Sequence, residues 1–252
     1  MIKTLHKHEH KYLRKILRLY YEHVKANPNT LISQFYGLHR VKAQGRKVHL
    51  VVINNVFPAS KDIHQTFDLK GSTVGREFDE SKLKENPRRP LKDLNWIKRN
   101  MSLEFGPRKK ELLLTQLKKD VEFLASLNIM DYSLLLGIHY TSRGNAENIR
   151  GTTLNVYKPR QNPMGAGPAR PGLQRSLSKR KQLEVLLTTE PRRLSASGWA
   201  DAMLPTEEFL ERRMGLFTSE EGGFYATDKN DQPTGEIIYY FGVIDLLTTV
   251  CP

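Results

Sequence analysis

Leu127-Asn-Ile-Met-Asp-Tyr-Ser-Leu-Leu-Leu-Gly-Ile-His-Tyr140 is the stretch from which the rest of the chain can be read. A helical pattern enters it from Pro107, with Leu113, Leu117, Val121 and Leu124 expected on one apolar face and proline at the start. Ser133–Tyr140 leaves it as an apolar, strand-like run. Asp131 stands at the break. A carboxylate where a helix gives way to a strand either caps the turn or projects into a cleft, and the stretch alone favours the cap.

Two further strings bear on that choice. Upstream is Phe67-Asp-Leu-Lys-Gly-Ser-Thr73, in which Asp68 and Lys70 share one face of an extended segment and Gly71 lets the backbone turn or approach a ligand. A bare Asp68/Lys70 pair would be an ordinary surface ion pair of little energetic weight. Downstream is Ile237-Ile-Tyr-Tyr-Phe-Gly-Val-Ile-Asp-Leu-Leu247, a strand over Ile237–Phe241 followed by Gly242 and Asp245.

Upstream of these, Leu13, Ile16, Leu17, Tyr20 and Val24 recur at helical spacing, and Pro28 stops that helix near Asn27. Its Lys/Arg positions read as a solvated face. Strands are expected at Met1–Thr4, Gln34–Val41 and Lys47–Asn54, the last two joined by a turn at Lys42–Arg46. Residues 76–108 read as a loop with one short helical piece at Leu91–Met101, and Glu207–Met214 reads as another short helix.

The 252 residues carry 40 Lys+Arg against 27 Asp+Glu, a formal charge of +13, which suggests a polyanionic partner. More than half of that excess lies in residues 151–200, which hold nine Lys/Arg, two Glu and five of the 13 prolines. Such a segment cannot bury enough apolar surface to offset its ordering entropy, so disorder is expected there. Its two aromatics, Tyr157 and Trp199, give little for bases to stack on, and nucleic acid is not the expected partner. Arg192-Arg-Leu-Ser195 resembles a site for a basophilic protein kinase, with Ser195 the acceptor. The single Cys251 precludes an internal disulfide. No apolar run approaches the roughly 20 residues of a membrane span.

Together the three strings resemble the signature stretches of the phosphatidylinositol phosphate kinases, most closely those that add the 5-phosphate to phosphatidylinositol 4-phosphate. The resemblance covers residues 1–140 and resumes at about 202–248. It implies an α+β, two-lobed lipid-kinase fold (SAICAR-synthase-like, kinase-like) with an antiparallel sheet and packed helices. Residues 1–55 would form part of the N-terminal lobe, 56–140 and 202–252 part of the C-terminal lobe, and 141–201 a basic insertion. ATP and Mg²⁺ are the implied cofactors. The implied reaction converts phosphatidylinositol 4-phosphate to phosphatidylinositol 4,5-bisphosphate.

Residue by residue, Lys3 resembles the nucleotide-phosphate lysine, and Glu9 would hold it as an ion pair, by analogy with kinases. Asn54 and Asn55 would lie where the adenine edge docks. Asp245 resembles the Mg²⁺-holding acid and Asp131 the acid that orients the inositol hydroxyl. Lys70 would be a second phosphate-facing charge, within the motif that includes Asp68, Gly71 and Ser72. The family's second metal ligand has no counterpart, because Ser133-Leu-Leu-Leu136 stands where an Asn would follow Asp131. Partners implied are a phosphoinositide substrate and an anionic membrane surface, with a dimer also compatible, at the cytoplasmic side of the plasma membrane. The family's glycine-rich loop ahead of Lys3 and activation loop beyond Asp245 are missing. The expectation is a chain truncated at both ends, with Lys3 on a frayed strand. As it stands, such a chain would bind anionic vesicles without transferring phosphate.

Overall fold

A computed structural model describes residues 1–43, 45–83, 89–149 and 222–248. Most of the basic insertion, Ser195 and the expected helix at Glu207–Met214 lie outside them. The described residues hold two antiparallel sheets, three α-helices and a 3-10 turn at Glu80–Leu83.

The first sheet has three strands, β1 (Ile2–Leu5), β2 (Phe35–Ala43) and β3 (Arg46–Ile53), in the order β1-β3-β2. Val48, Val51, Val52 and Ile53 suit β3 to the central place, since branched side chains pack well on a pleated surface. Lys3 pairs with Val51, so β1 is held along its length rather than frayed. Helix α1 (Lys7–Ala26) buries Leu13, Ile16 and Tyr20, whereas Leu17 remains 45% exposed. The five apolar positions define too wide an arc for one contact face, and Leu17 falls at its edge.

The second sheet has four strands, β4 (Gln65–Leu69), β5 (Ser133–Tyr140), β6 (Phe224–Thr227) and β7 (Pro233–Ile244), in the order β4-β5-β7-β6. β7 is longer than its apolar run suggested, and Ile238–Val243 is buried without interruption, as befits a strand covered on both faces. At Gly242 an added Cβ would meet Val56, and at Gly137 it would meet Phe57, so both glycines admit the 56–57 segment against the sheet. The short helix α2 (Asp93–Lys98) follows β4. α3 (Pro107–Ser126) precedes β5, and Asp231 accepts hydrogen bonds from the Arg108 and Lys109 amides at its N-terminus, at 3.2 and 3.0 Å.

The buried stripe of α3 differs from the expected one. Leu113, Gln116, Asp120 and Leu124 face inward, while Val121 is 40% exposed. Asp120 is fully buried and is the hub of the junction between the sheets. Its Oδ1 accepts from Thr30 Oγ1 (2.7 Å), Gln116 Nε2 (2.9 Å) and His23 Nε2 (2.9 Å), and its Oδ2 accepts from the Leu31 amide (2.8 Å). The segment it holds then runs beside β7: the Ser33 amide donates to the Val243 carbonyl at 2.9 Å, and the Val243 amide to the Leu31 carbonyl at 2.7 Å. Tyr20 completes the junction, donating its hydroxyl to the Ser33 carbonyl and accepting from the Phe35 amide, both at 3.0 Å.

Candidate active site

The register of the second sheet decides where its acids lie. Ser133 at the start of β5 pairs with Ile244 at the end of β7, and Leu69 at the end of β4 pairs with Leu134. Residues just outside those strand ends therefore share one edge of the sheet: Lys70 after β4, Asp131 before β5 and Asp245 after β7. Both aspartates take left-handed backbone conformations, with φ of 58° at Asp131 and 64° at Asp245. Asp is one of the few side-chain-bearing types that accepts this region readily. The Met130 amide donates to the Thr248 carbonyl at 3.0 Å, tying the two acid-bearing turns together.

Across from this edge lies β1. A cavity of about 410 Å³ is lined by Lys3, Glu9, Ser33, Phe35, Val51 and Ile53 from the first sheet and its junction, and by Lys70, Asp131, Ile244 and Asp245 from the second. Lys3, Lys70, Asp131 and Asp245 are exposed, so all four can meet a ligand.

Other expected residues are placed differently. Glu9 lines the cavity but forms no ion pair with Lys3; its Oε2 accepts the His6 amide at the start of α1, a capping role that fixes the helix entry. Asn54 lies outside the cavity lining because its side chain is used in the sheet: Oδ1 accepts the Gln34 amide at 2.9 Å, and the Asn54 amide donates to the Gln34 carbonyl at 2.9 Å. Asn55 is also outside that lining, with Oδ1 accepting the Phe57 amide at 3.4 Å. Asp68 pairs with Arg76 (3.1 Å) rather than Lys70.

Sequence reasoning missed Arg76 and Asp93, which build the turn that carries Lys70. Asp93 Oδ1 accepts the Lys70 and Gly71 amides at 3.0 and 2.9 Å, and Oδ2 accepts from Arg76 Nε at 2.8 Å. Gly71, at φ 70°, and exposed Ser72 follow. Burial alone would raise the Asp93 pKa, but the hydrogen bonds from Arg76, Gly71 and Lys70 outweigh it and hold the carboxyl below its ordinary value. An Asp in the first turn of a predicted helix was the available signal, but nothing local said which amides it would cap.

Two cations and two carboxylates around one cavity suit phosphoryl transfer, in which positioning and charge do most of the work. Among the described residues no group of three or more His, Cys, Asp or Glu is arranged to hold a metal ion. Mg²⁺ does not require one, since it keeps several waters and takes one or two carboxylates together with substrate phosphates. Asp245, exposed at the cavity, is a carboxylate of that kind.

The family model described as Phosphatidylinositol-4-phosphate 5-Kinase matches residues 1–249, and the chain belongs to that family. Phosphatidylinositol 4-phosphate 5-kinase its3 of Schizosaccharomyces pombe is 54% identical over 249 residues, covering 98% of this chain and 33% of that protein. Phosphatidylinositol 4-phosphate 5-kinase 5 of Arabidopsis thaliana is 35% identical over 257 residues, covering 98% of this chain and 30% of its own length. Phosphatidylinositol 5-phosphate 4-kinase type-2 gamma of Rattus norvegicus is 45% identical over 122 residues, covering 48% of this chain and 29% of its own length. The chain thus spans about a third of the length of these relatives.

Proposed function

We propose that this chain supplies the catalytic cleft of a lipid kinase that moves the ATP γ-phosphate to phosphatidylinositol 4-phosphate, giving phosphatidylinositol 4,5-bisphosphate. The fold would be the two-lobed, kinase-like one, with residues 1–55 in the small lobe and 56–140 and 202–252 in the large lobe. The basic insertion at 141–201 would interrupt the large lobe. The observation that carries the reading is the convergence of Lys3, Lys70, Asp131 and Asp245, from two sheets, on one cavity.

Lys3 would face the nucleotide phosphates, with its strand fixed by β3, and Lys70 would face the phosphate on the lipid side. Asp131 would accept the proton of the inositol hydroxyl as its oxygen attacks the γ-phosphorus and the bond to the β-phosphate oxygen breaks. Mg²⁺ held at Asp245 would neutralise charge on the phosphate oxygens. The seat of action would be an anionic membrane at the cytoplasmic face of the plasma membrane. Contact with it would be peripheral; among the described residues no helix is long and apolar enough to cross a membrane.

The two acids separate by experiment. In the native full-length protein, Asp131→Asn is expected to lower turnover about a hundredfold or more while leaving ATP affinity nearly intact. Asp245→Asn is expected to weaken Mg²⁺-dependent ATP binding first. Equal loss of ATP affinity in both variants, measured by titration, contradicts the assignment.

A further inference from the structure

The turn that carries Lys70 ends in an apolar tip. Asp93 grips the Lys70 and Gly71 amides on one side and Arg76 on the other, and Arg76 Nη2 donates to both the carbonyl and a carboxylate oxygen of Asp68. The Arg76 amide closes the turn on the Thr73 carbonyl at 3.3 Å. Between these anchors Ser72, Thr73, Val74 and Gly75 are exposed. Val74 is 88% exposed, more than any other large hydrophobic among the described residues. A braced turn thus holds an apolar side chain out in water, four residues from a cavity-lining lysine.

We propose that Val74 is a membrane-inserting tip, docking the cleft on the anionic bilayer that presents the substrate. The inference rests on the lipid kinase reading. A phosphoinositide headgroup can reach Lys70 only while its acyl chains stay in the bilayer, so the surface beside Lys70 must lie against lipid. The charges nearby point the same way. Asp68 and Asp93 are engaged by Arg76, and Lys98 and Arg99 by Glu77 and Glu80. Among the described residues Lys70 is in no ion pair and stands exposed beside the apolar tip, while the single guanidinium of Arg76 answers both carboxylates. An exposed apolar side chain beside an exposed lysine is a pairing that can seat on an anionic interface.

The test uses the native full-length protein in two assays. On vesicles of phosphatidylcholine, phosphatidylserine and phosphatidylinositol 4-phosphate, Val74→Asp is expected to lower activity about tenfold, from lost burial of the valine and added repulsion. On short-chain, water-soluble phosphatidylinositol 4-phosphate it should match the parent, and Val74→Leu should match it in both. Leu114→Asp, at a position 54% exposed on α3, is the control and should leave vesicle activity unchanged. An unchanged Val74→Asp, an equal loss on both substrates, or an equal loss in Leu114→Asp would each overturn the proposal. Val74→Trp separates it from the kinase reading. Above the tryptophan signal of the parent, its emission should shift to the blue on vesicles and be quenched by brominated phosphatidylcholine. No shift and no quenching overturns the docking role. A shift in a protein that phosphorylates neither substrate supports the tip and sinks the kinase reading instead.

Discussion

The edge strands and the central strands of the two sheets bring different charges to the same cavity. The three-stranded sheet contributes Lys3 from β1, a four-residue edge strand with no fully buried position. The four-stranded sheet contributes Lys70 from the end of its edge strand β4, and Asp131 and Asp245 from turns flanking β5 and β7, its two central strands. A lysine has four side-chain torsions and can search for a phosphate from a loosely packed strand, at some entropic cost. An aspartate has a short reach, so its carboxylate goes where the backbone puts it. The central strands therefore carry the short acids, and the edge strands β1 and β4 the long bases.

That division can be broken at the junction. Asp120→Ala removes the acceptor for His23, Thr30, Leu31 and Gln116 together, leaving buried donors unsatisfied and the two sheets without their common anchor. The expected loss is about 3 kcal/mol of stability, read from the midpoint of urea unfolding. Less than about 1 kcal/mol would show that the sheets are held together elsewhere.

A smaller effect sharpens the comparison from the four-stranded side. Asp93 has its pKa lowered in the fold, with Arg76 and the Lys70 and Gly71 amides as the favourable partners. A depressed carboxylate contributes stability that is complete above its unfolded value, near 3.8, and is lost as pH falls through the lower folded value. The stability difference between the parent and Asp93→Asn, followed by unfolding at a series of pH values, should thus be flat above about pH 5 and shrink below about pH 4. A difference that grows on acidification contradicts the bracing of the Lys70 turn.

The smallest effect belongs to the outer face of α1. The Arg18–Glu22 pair, 3.0 Å long, is exposed at both ends. Arg18→Ala should change stability by less than about 0.5 kcal/mol and leave the Lys3 side of the cavity intact, as thermal unfolding and ATP titration would show. A larger loss would mean that the helix face is covered in the native protein.

What the sequence made legible follows from where the information lies. The acids could be found because strand ends are marked by local pattern and because the surrounding strings are long and ordered. Their convergence could not, because it depends on Ser133 pairing with Ile244, a register set over the whole sheet. The stripe of α3 failed for a related reason. Apolar periodicity picked Val121, whereas the fold buries Asp120, which is tolerable only because Thr30 and Leu31 cross at that point. At Asn54 and Asn55 the residues themselves read as an ordinary turn and only the family resemblance implied adenine docking; the structure uses their oxygens on backbone amides. β6 went unread because four residues with a shifted register against β7 give too short a pattern to stand out.

The left-handed turns at Asp131 and Asp245 also bear on how this cleft can change over generations. A positive φ admits Asp, Asn and Gly and penalises most other side chains by about 1 kcal/mol or more. Asn, the near-isosteric choice, differs from Asp by one base in its codon. A single base change at either position can therefore remove the carboxylate without straining the turn, and the folded chain would persist as a binding scaffold. The fold itself exerts little pressure against that drift, so only selection for the reaction can keep both acids in place.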